Sequence, residues 1–297
     1  MMLEPSHFFF SENIIIYLQG FGSPFLDIIF KAITTAGSEP AYIFLALLIF
    51  WCFSKKTGIR AMYVILFSAF AAILLKNLFS MPRPLEYLHK IEENGFGFPS
   101  GHAQISSGFW GYLGCKIQNR WILFTGAVAV LFISLSRVYL GVHYAGDVIG
   151  GIIFGLMVAL ISFKVEPGVI NKLGKLNRSS KYFIAVALPL MVVAIGYIQH
   201  IFLLDQLETG LVMGSIGVGY LLEEEYVKLQ DAENNAQRIR RAVMGIVAVG
   251  IIYLILSELL LIDQNFIFFK YPALGIASTF LAPWIFKKIE AKNQKST

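Results

Sequence analysis

Charged side chains are scarce in this sequence. Of its 297 residues only 14% are Asp, Glu, Lys or Arg against 57% hydrophobic ones, and the mean hydropathy is +0.67. That is too little polar surface to cover a water-soluble globule, which excludes an ordinary soluble domain. Cysteine is rarer still. Cys52 and Cys115 each lie in or at the end of an apolar stretch, which excludes a disulfide framework and a cysteine metal site and leaves them as packing residues. The opening residues, MMLEPSHFFFSENIII, have no basic n-region and no small-residue cleavage site, so a removable signal peptide is not expected. A dense basic face for nucleic acid is also missing, because the formal charge of +5 is dispersed in short Lys/Arg clusters between apolar segments.

What the chain has instead is a succession of apolar runs near the ~20 residues that a bilayer-spanning helix needs. Nine lie at 40–53, 59–79, 101–117, 121–139, 144–163, 182–203, 207–222, 242–261 and 266–286, the first and seventh being short. They predict an all-α protein, a polytopic transmembrane helical bundle of about nine spans. Lys55, Lys56 and Arg60; Lys116 and Arg120; Lys164 to Lys181; Lys228 to Arg241; and Lys287 to Lys295 all fall on one side of a nine-span layout, which the positive-inside rule makes cytoplasmic. The loops near 80–100, 138–143, 204–206 and 262–265 then face outward.

Residues 1–37 read differently. Gly20, Gly22 and Pro24 break the apolar run, and Asp27 and Lys31 interrupt it at a spacing that pairs them on one helix turn. One or two interfacial helices on the outer surface fit this pattern, with a tenth span as the alternative. The expected organisation is therefore 1–37 as N-terminal interfacial helices, 38–165 as a core, and 166–297 as further membrane helices of the same bundle.

Three polar clusters interrupt the apolar runs, and the orientation set by the basic loops puts all three outside. KNLFSMPRP carries Lys76 and Arg83, PSGH runs from Pro99 to His102, and SRVYLGVHYAGD carries Arg137, His143 and Asp147. Together they supply three cations, two histidines, one carboxylate and a Ser-Gly turn at a helix start, a set suited to a tetrahedral oxyanion of more than one negative charge. His143 and Asp147 are four apart, so on a helix the carboxylate takes one ring nitrogen and leaves the other to attack. Lys76, Arg83 and Arg137 favour a neutral His143, while Asp147 opposes them. His102 has the reverse requirement, a proton for the leaving oxygen, and once neutral it can activate water.

In these residues the sequence resembles the type 2 phosphatidic acid phosphatase (PAP2) superfamily. Lys76, Arg83 and Pro84; Pro99 to His102; and Ser136, Arg137, His143 and Asp147 match its three-part signature without a gap. The resemblance implies a membrane phosphatase that needs neither metal nor cofactor and cleaves a lipid phosphate or diphosphate at the extracytoplasmic face through a phosphohistidine. It assigns His143 as nucleophile, Asp147 as its partner, His102 as acid and base, and Lys76, Arg83, Ser100, Gly101 and Arg137 as phosphate ligands. The implied partners are the lipid phosphate and the bilayer, with no nucleic acid; the lack of a recognised targeting signal favours a bacterial cytoplasmic membrane, and the basic loops turn the site to the periplasm or exterior. The nine-span layout is also similar to glucose-6-phosphatases and sphingosine-1-phosphate phosphatases, the latter typically having Thr where this sequence has Gly101. Alternatives are a lipid phosphotransferase using the same phosphohistidine, a phosphatase of a soluble sugar phosphate, and a non-catalytic transporter or scaffold.

Other features have plainer readings. His7, His89 and His200 lack partners at a telling spacing and read as surface or interface residues. Glu86, His89, Lys90, Glu92 and Glu93 make the loop between the first two motifs polar, which fits a lid or any solvated loop. The EEE run at 223–225 reads as solvated loop or frayed helix. Gly146, Gly150, Gly151 and Gly155 predict close helix packing, within the bundle or in a homodimer. The sequon at Asn177, in a loop expected to be cytoplasmic, is predicted to be unused.

Overall fold

Backbone amides in hydrocarbon must be satisfied within their own segment, so apolar runs of this length have one outlet. The computed structural model describes residues 8–198 and 203–294, and its regular elements are all helical, with no strand among the described residues. His7 and His200 lie outside the described residues.

The chain divides into two units, one formed by 1–43 and 64–169 and the other by 44–63 and 170–297. The first begins with α1 (Asn13–Gln19) and α2 (Pro24–Ala36), followed by α3 (Glu39–Cys52) and α4 (Lys55–Phe79), whose parts lie in both units, and by α5 (Gly101–Ile117), α6 (Arg120–Tyr139) and α7 (Ala145–Gly174). Ser23 starts α2 by accepting a hydrogen bond from the Leu26 N–H at 3.2 Å, with Pro24 preset for the first turn.

Among the described residues five helices are individually long and apolar enough to cross a membrane: α4, α6, α7, the first 18 residues of α8 (Arg178–Ile198) and α10 (Asn235–Ile262). The bent pair α2 and α3, at 56°, passes the same test taken together. Within the described residues each of the nine expected segments is largely helical, but α5, at 17 residues, is short for an unaided crossing. Residues 204–206, expected as an outer loop, instead belong to the first turn of α9 (Leu203–Leu222).

In the first unit Ile15 of α1 is fully buried in a cluster with Leu88, Ala103, Val138 and Val148. Such burial is worth roughly 1.5–3 kcal/mol per large aliphatic side chain. The opposite face of α1 and α2 leaves Ile16, Tyr17, Phe21, Phe25 and Ile28 exposed. Asp27 turns to Lys90 at 2.8 Å and to the Tyr139 hydroxyl at 2.5 Å rather than to Lys31. Glu12 accepts from the Tyr87 hydroxyl, and Gln19 donates to the Leu88 and Tyr139 carbonyls. The N-terminal helices thus fasten the 85–90 loop.

Small residues let α5 and α7 touch. A Cβ on Gly151 would meet the Ser100 carbonyl and Ala103, and one on Gly155 would meet Ser107 and the Gln104 carbonyl. Packing within the chain accounts for these glycines.

In the second unit α9 runs into a π-helical turn, Glu223–Val227, and α11 (Ile267–Ile276) reaches α12 (Ala282–Gln294) through a second, Ala277–Leu281. The EEE run is therefore ordered. Glu223 is fully buried and paired with Lys55 at 2.8 Å, Glu224 meets the same lysine at 2.6 Å, and Glu225 pairs with Arg178 at 2.7 Å. The solvated reading fails for Glu223, whose compensating cation lies far away in sequence, while Glu224 is exposed.

Candidate active site

The α4 helix carries Lys76 in its last turn and stops after Phe79, where Ser80 takes a left-handed φ of 48° and bonds back to the Lys76 carbonyl at 2.8 Å. The next segment brings in Arg83, which ties the loop together. Its Nε donates to the Gly95 carbonyl at 3.0 Å, Nη2 to the Asn94 carbonyl at 3.0 Å, and Nη1 to the Val142 carbonyl at 2.8 Å. Nη1 also lies 3.2 Å from Nε2 of His143.

Between α6 and α7, His143 is almost wholly buried, with Nδ1 3.3 Å from Oδ2 of Asp147. That carboxylate oxygen also accepts the Tyr144 N–H at 2.9 Å. A guanidinium only donates, so Nε2 of His143 is the acceptor and Nδ1 carries the proton toward Asp147. Burial, followed by the charges of Arg137, Arg83 and Lys76, holds the His143 imidazole well below the ordinary histidine range, hence neutral. The opposition expected from Asp147 does not prevail.

Ser100 and Gly101 open α5. The Ser100 N–H donates to the Asp147 carbonyl at 2.9 Å, a backbone bond between the second and third motifs. Its hydroxyl is buried, does not cap its own helix and has no partner among the described residues. Buried hydroxyls are normally paired, so this one is a donor without protein partner in the centre of the site. A Cβ on Gly101 would meet nothing within 4 Å, in contrast with the crowded glycines of α7. His102 follows, within electrostatic reach of Arg137, Glu93, Lys76 and Arg83.

Arg137, buried near the end of α6, donates from Nη1 to Thr34 Oγ1 at 2.9 Å and from Nη2 to Glu93 Oε2 at 2.7 Å, while its buried Nε has no partner among the described residues. All eight expected site residues, Lys76, Arg83, Ser100, Gly101, His102, Arg137, His143 and Asp147, therefore belong to one neighbourhood of the first unit. Two further residues join them, Thr34, which the sequence did not mark, and Glu93, which it marked only as one of several polar residues of the loop. Thr34 orients Arg137, and a clue was available in the polar line Asp27 to Thr34 along α2. Glu93 pairs with Arg137 and, at 3.5 Å, with Arg83. Burial alone would raise the Glu93 carboxyl, but Arg137 and Arg83 outweigh it and hold the group below its ordinary value. His89 is a structural residue here, its Nε2 3.0 Å from the Pro84 carbonyl.

Among the described residues no three His, Cys, Asp or Glu side chains are grouped to hold a metal ion; the cations Arg137, Arg83 and Lys76 act on both imidazoles, with Glu93 also near His102 and Asp147 against His143. Two histidines, three cations and two buried donors without a partner among the described residues thus stand together in an all-helical, apolar unit, the frame of a membrane protein. The chain belongs to the PAP2 superfamily and is a phosphatase: the description "PAP2 superfamily" matches residues 57–170, and "PAP2 superfamily phosphatase, transmembrane extension" matches 207–294. It is 30% identical to an undecaprenyl-diphosphatase of Sulfolobus acidocaldarius, covering 45% of this chain and 68% of that protein. It is 28% identical to a lipid A 4'-phosphatase of Bacteroides thetaiotaomicron, covering 48% and 71%. Among solved structures, Aquifex aeolicus LpxE aligns with a TM-score of 0.48 at 25% identity, over 55% of this chain and 99% of that one.

Proposed function

We propose that this PAP2 membrane phosphatase hydrolyses a lipid phosphate monoester or diphosphate at the outer membrane surface, without metal, through a phosphohistidine on His143. The observation that carries the mechanism is the placing of the two ring nitrogens of His143, Nε2 at 3.2 Å from Arg83 Nη1 and Nδ1 at 3.3 Å from Asp147 Oδ2, which favours the tautomer with its lone pair toward the cations.

In the first step Arg83 Nη1 transfers its hydrogen bond from Nε2 to a phosphate oxygen, and Nε2 attacks phosphorus. The N–P bond forms as the P–O bond to the lipid breaks, and His102 delivers its proton to the departing oxygen. Asp147 stabilises the charge that appears on the His143 ring. In the second step neutral His102 takes a proton from water, the resulting hydroxide attacks phosphorus, and the N–P bond breaks to release inorganic phosphate. Lys76, Arg83, Arg137 and the Ser100 hydroxyl hold the equatorial oxygens, and the open space at Gly101 leaves the phosphate room. A Cβ at this position would meet no neighbour, so the glycine is not there to relieve crowding and does not by itself exclude a sphingoid substrate.

We assign 38–165 to the catalytic core, 1–37 to interfacial helices and 166–297 to a membrane extension. The polyprenyl diphosphate and lipid A phosphate named for the relatives are the first substrates to try. Phosphate release in detergent should persist with a chelator and vanish in His143→Ala, and brief quenching with labelled substrate should trap acid-labile protein-bound phosphate. Full activity in His143→Ala would sink the mechanism. Mass spectrometry of the products with an acceptor lipid separates hydrolysis from transfer.

A further inference from the structure

The carboxylate of Glu93 spans two arginines, with Oε2 at 2.7 Å from Arg137 Nη2 and Oε1 at 3.5 Å from Arg83 Nη2. Both guanidiniums also serve the neighbourhood of His143: Arg83 contacts its Nε2, and Arg137 is the leading charge acting on the ring. Two acidic oxygens bridging two guanidiniums is the pattern in which a phosphate is held. Glu93 therefore engages donor atoms that a phosphate would use.

The surrounding backbone is fixed. Lys90 N–H donates to the Leu140 carbonyl, Asn94 and Gly95 carbonyls are held by Arg83, and Gly97 N–H donates to the Met81 carbonyl. The side chain itself is 28% exposed, far more than the arginine it contacts most closely, which is 1% exposed. It can rotate to water without moving the loop. Tethering gives a group in this position an effective concentration on the order of millimolar or higher relative to a diffusing anion.

We propose that Glu93 is a tethered competitor for the phosphate position, a specificity-determining residue that admits groups carrying two or more negative charges and turns away singly charged phosphodiesters. The proposal rests on the reading of the cation cluster as a phosphate site. A phosphodiester brings one negative charge, the same as the carboxylate it must displace, and gains no Coulomb attraction in the exchange. A monoester dianion or a diphosphate brings more charge to the same cations and wins. For a lipid phosphatase this matters because phosphodiester lipids surround the enzyme and would otherwise fill the site.

The test compares wild type with Glu93→Gln, which keeps the shape and removes the charge. Its readouts are inhibition by inorganic phosphate, inhibition by phosphatidylglycerol in mixed micelles, and a split of kcat from KM. Glu93→Gln should show phosphate inhibition about tenfold tighter, a lower KM, and inhibition by phosphatidylglycerol that wild type lacks. Glu93→Asp, charged but one methylene shorter, should fall between the two and serves if the Gln variant does not fold. Unchanged phosphate and phosphatidylglycerol inhibition in both variants, or a fall in kcat alone, would overturn the proposal and leave Glu93 as a support for Arg137. Direct calorimetry of inorganic phosphate binding gives the same comparison without turnover, so it stands apart from the fate of His143→Ala.

Discussion

At the scale of single residues, the chemistry turns on which proton sits where. Asp147 accepts from His143 Nδ1 and Tyr144 N–H with one oxygen. Asp147→Asn removes the charge that stabilises a cationic ring, and kcat should fall by about 10⁴-fold, as for the aspartate of a serine-protease triad, with little change in thermal midpoint. The sign of the pH effect follows from the cations around His143. Burial and neighbouring positive charge disfavour its protonated form, so the depressed pKa keeps the proposed nucleophile neutral as pH falls. The acid limb of kcat/KM due to His143 should therefore lie below the ordinary histidine value of about 6.5. Arg83→Gln removes one cation and should move that limb upward, as a pH–rate profile would record. The eight motif residues were legible because their chemistry depends on residue type and local spacing. Glu93 and Thr34 were not, since each acts through Arg137, 44 and 103 positions away, and spacing over such distances carries no signal.

Among the helices, α7 sets the tolerances. A Cβ at Gly155 would meet Ser107 and the Gln104 carbonyl of α5, so Gly155→Ala should destabilise by about 1–3 kcal/mol through overpacking. Gly168, on the same helix, has nothing within 4 Å of an added Cβ, and Gly168→Ala should be neutral or stabilise by roughly 0.5–1 kcal/mol. Thermal unfolding of both variants in detergent checks the contrast. The small-residue spacing made this packing readable, because only close approach explains four glycines on one stretch of helix. The π-helical turn at Glu223–Val227 was unreadable for the opposite reason. Three consecutive glutamates look solvated until Lys55, from another part of the chain, is seen to pair with two of them.

For the whole molecule, the positive-inside reading makes a prediction independent of catalysis. A cysteine at exposed Glu86 should react with a membrane-impermeant maleimide in intact cells, and one at exposed Lys175 only after permeabilisation. The reverse pattern would invert the protein and separate the site from an outer-leaflet substrate. Helical class was legible because hydrocarbon leaves the backbone no alternative, but five helices, or six with the bent pair, meet the length of a span among the described residues where the sequence suggested nine; the packing of α1 and α2 onto the 85–90 loop depends on pairs such as Asp27 and Lys90 that no periodicity announces. The bond from Ser100 N–H to the Asp147 carbonyl has a consequence at this scale. Both partners are main-chain atoms, so the separation of the two histidine-bearing segments is written into the chain trace and survives exchange of the side chains on either side. Sequence drift around the site can then alter the side chains that line it while the spacing of the two segments is inherited unchanged.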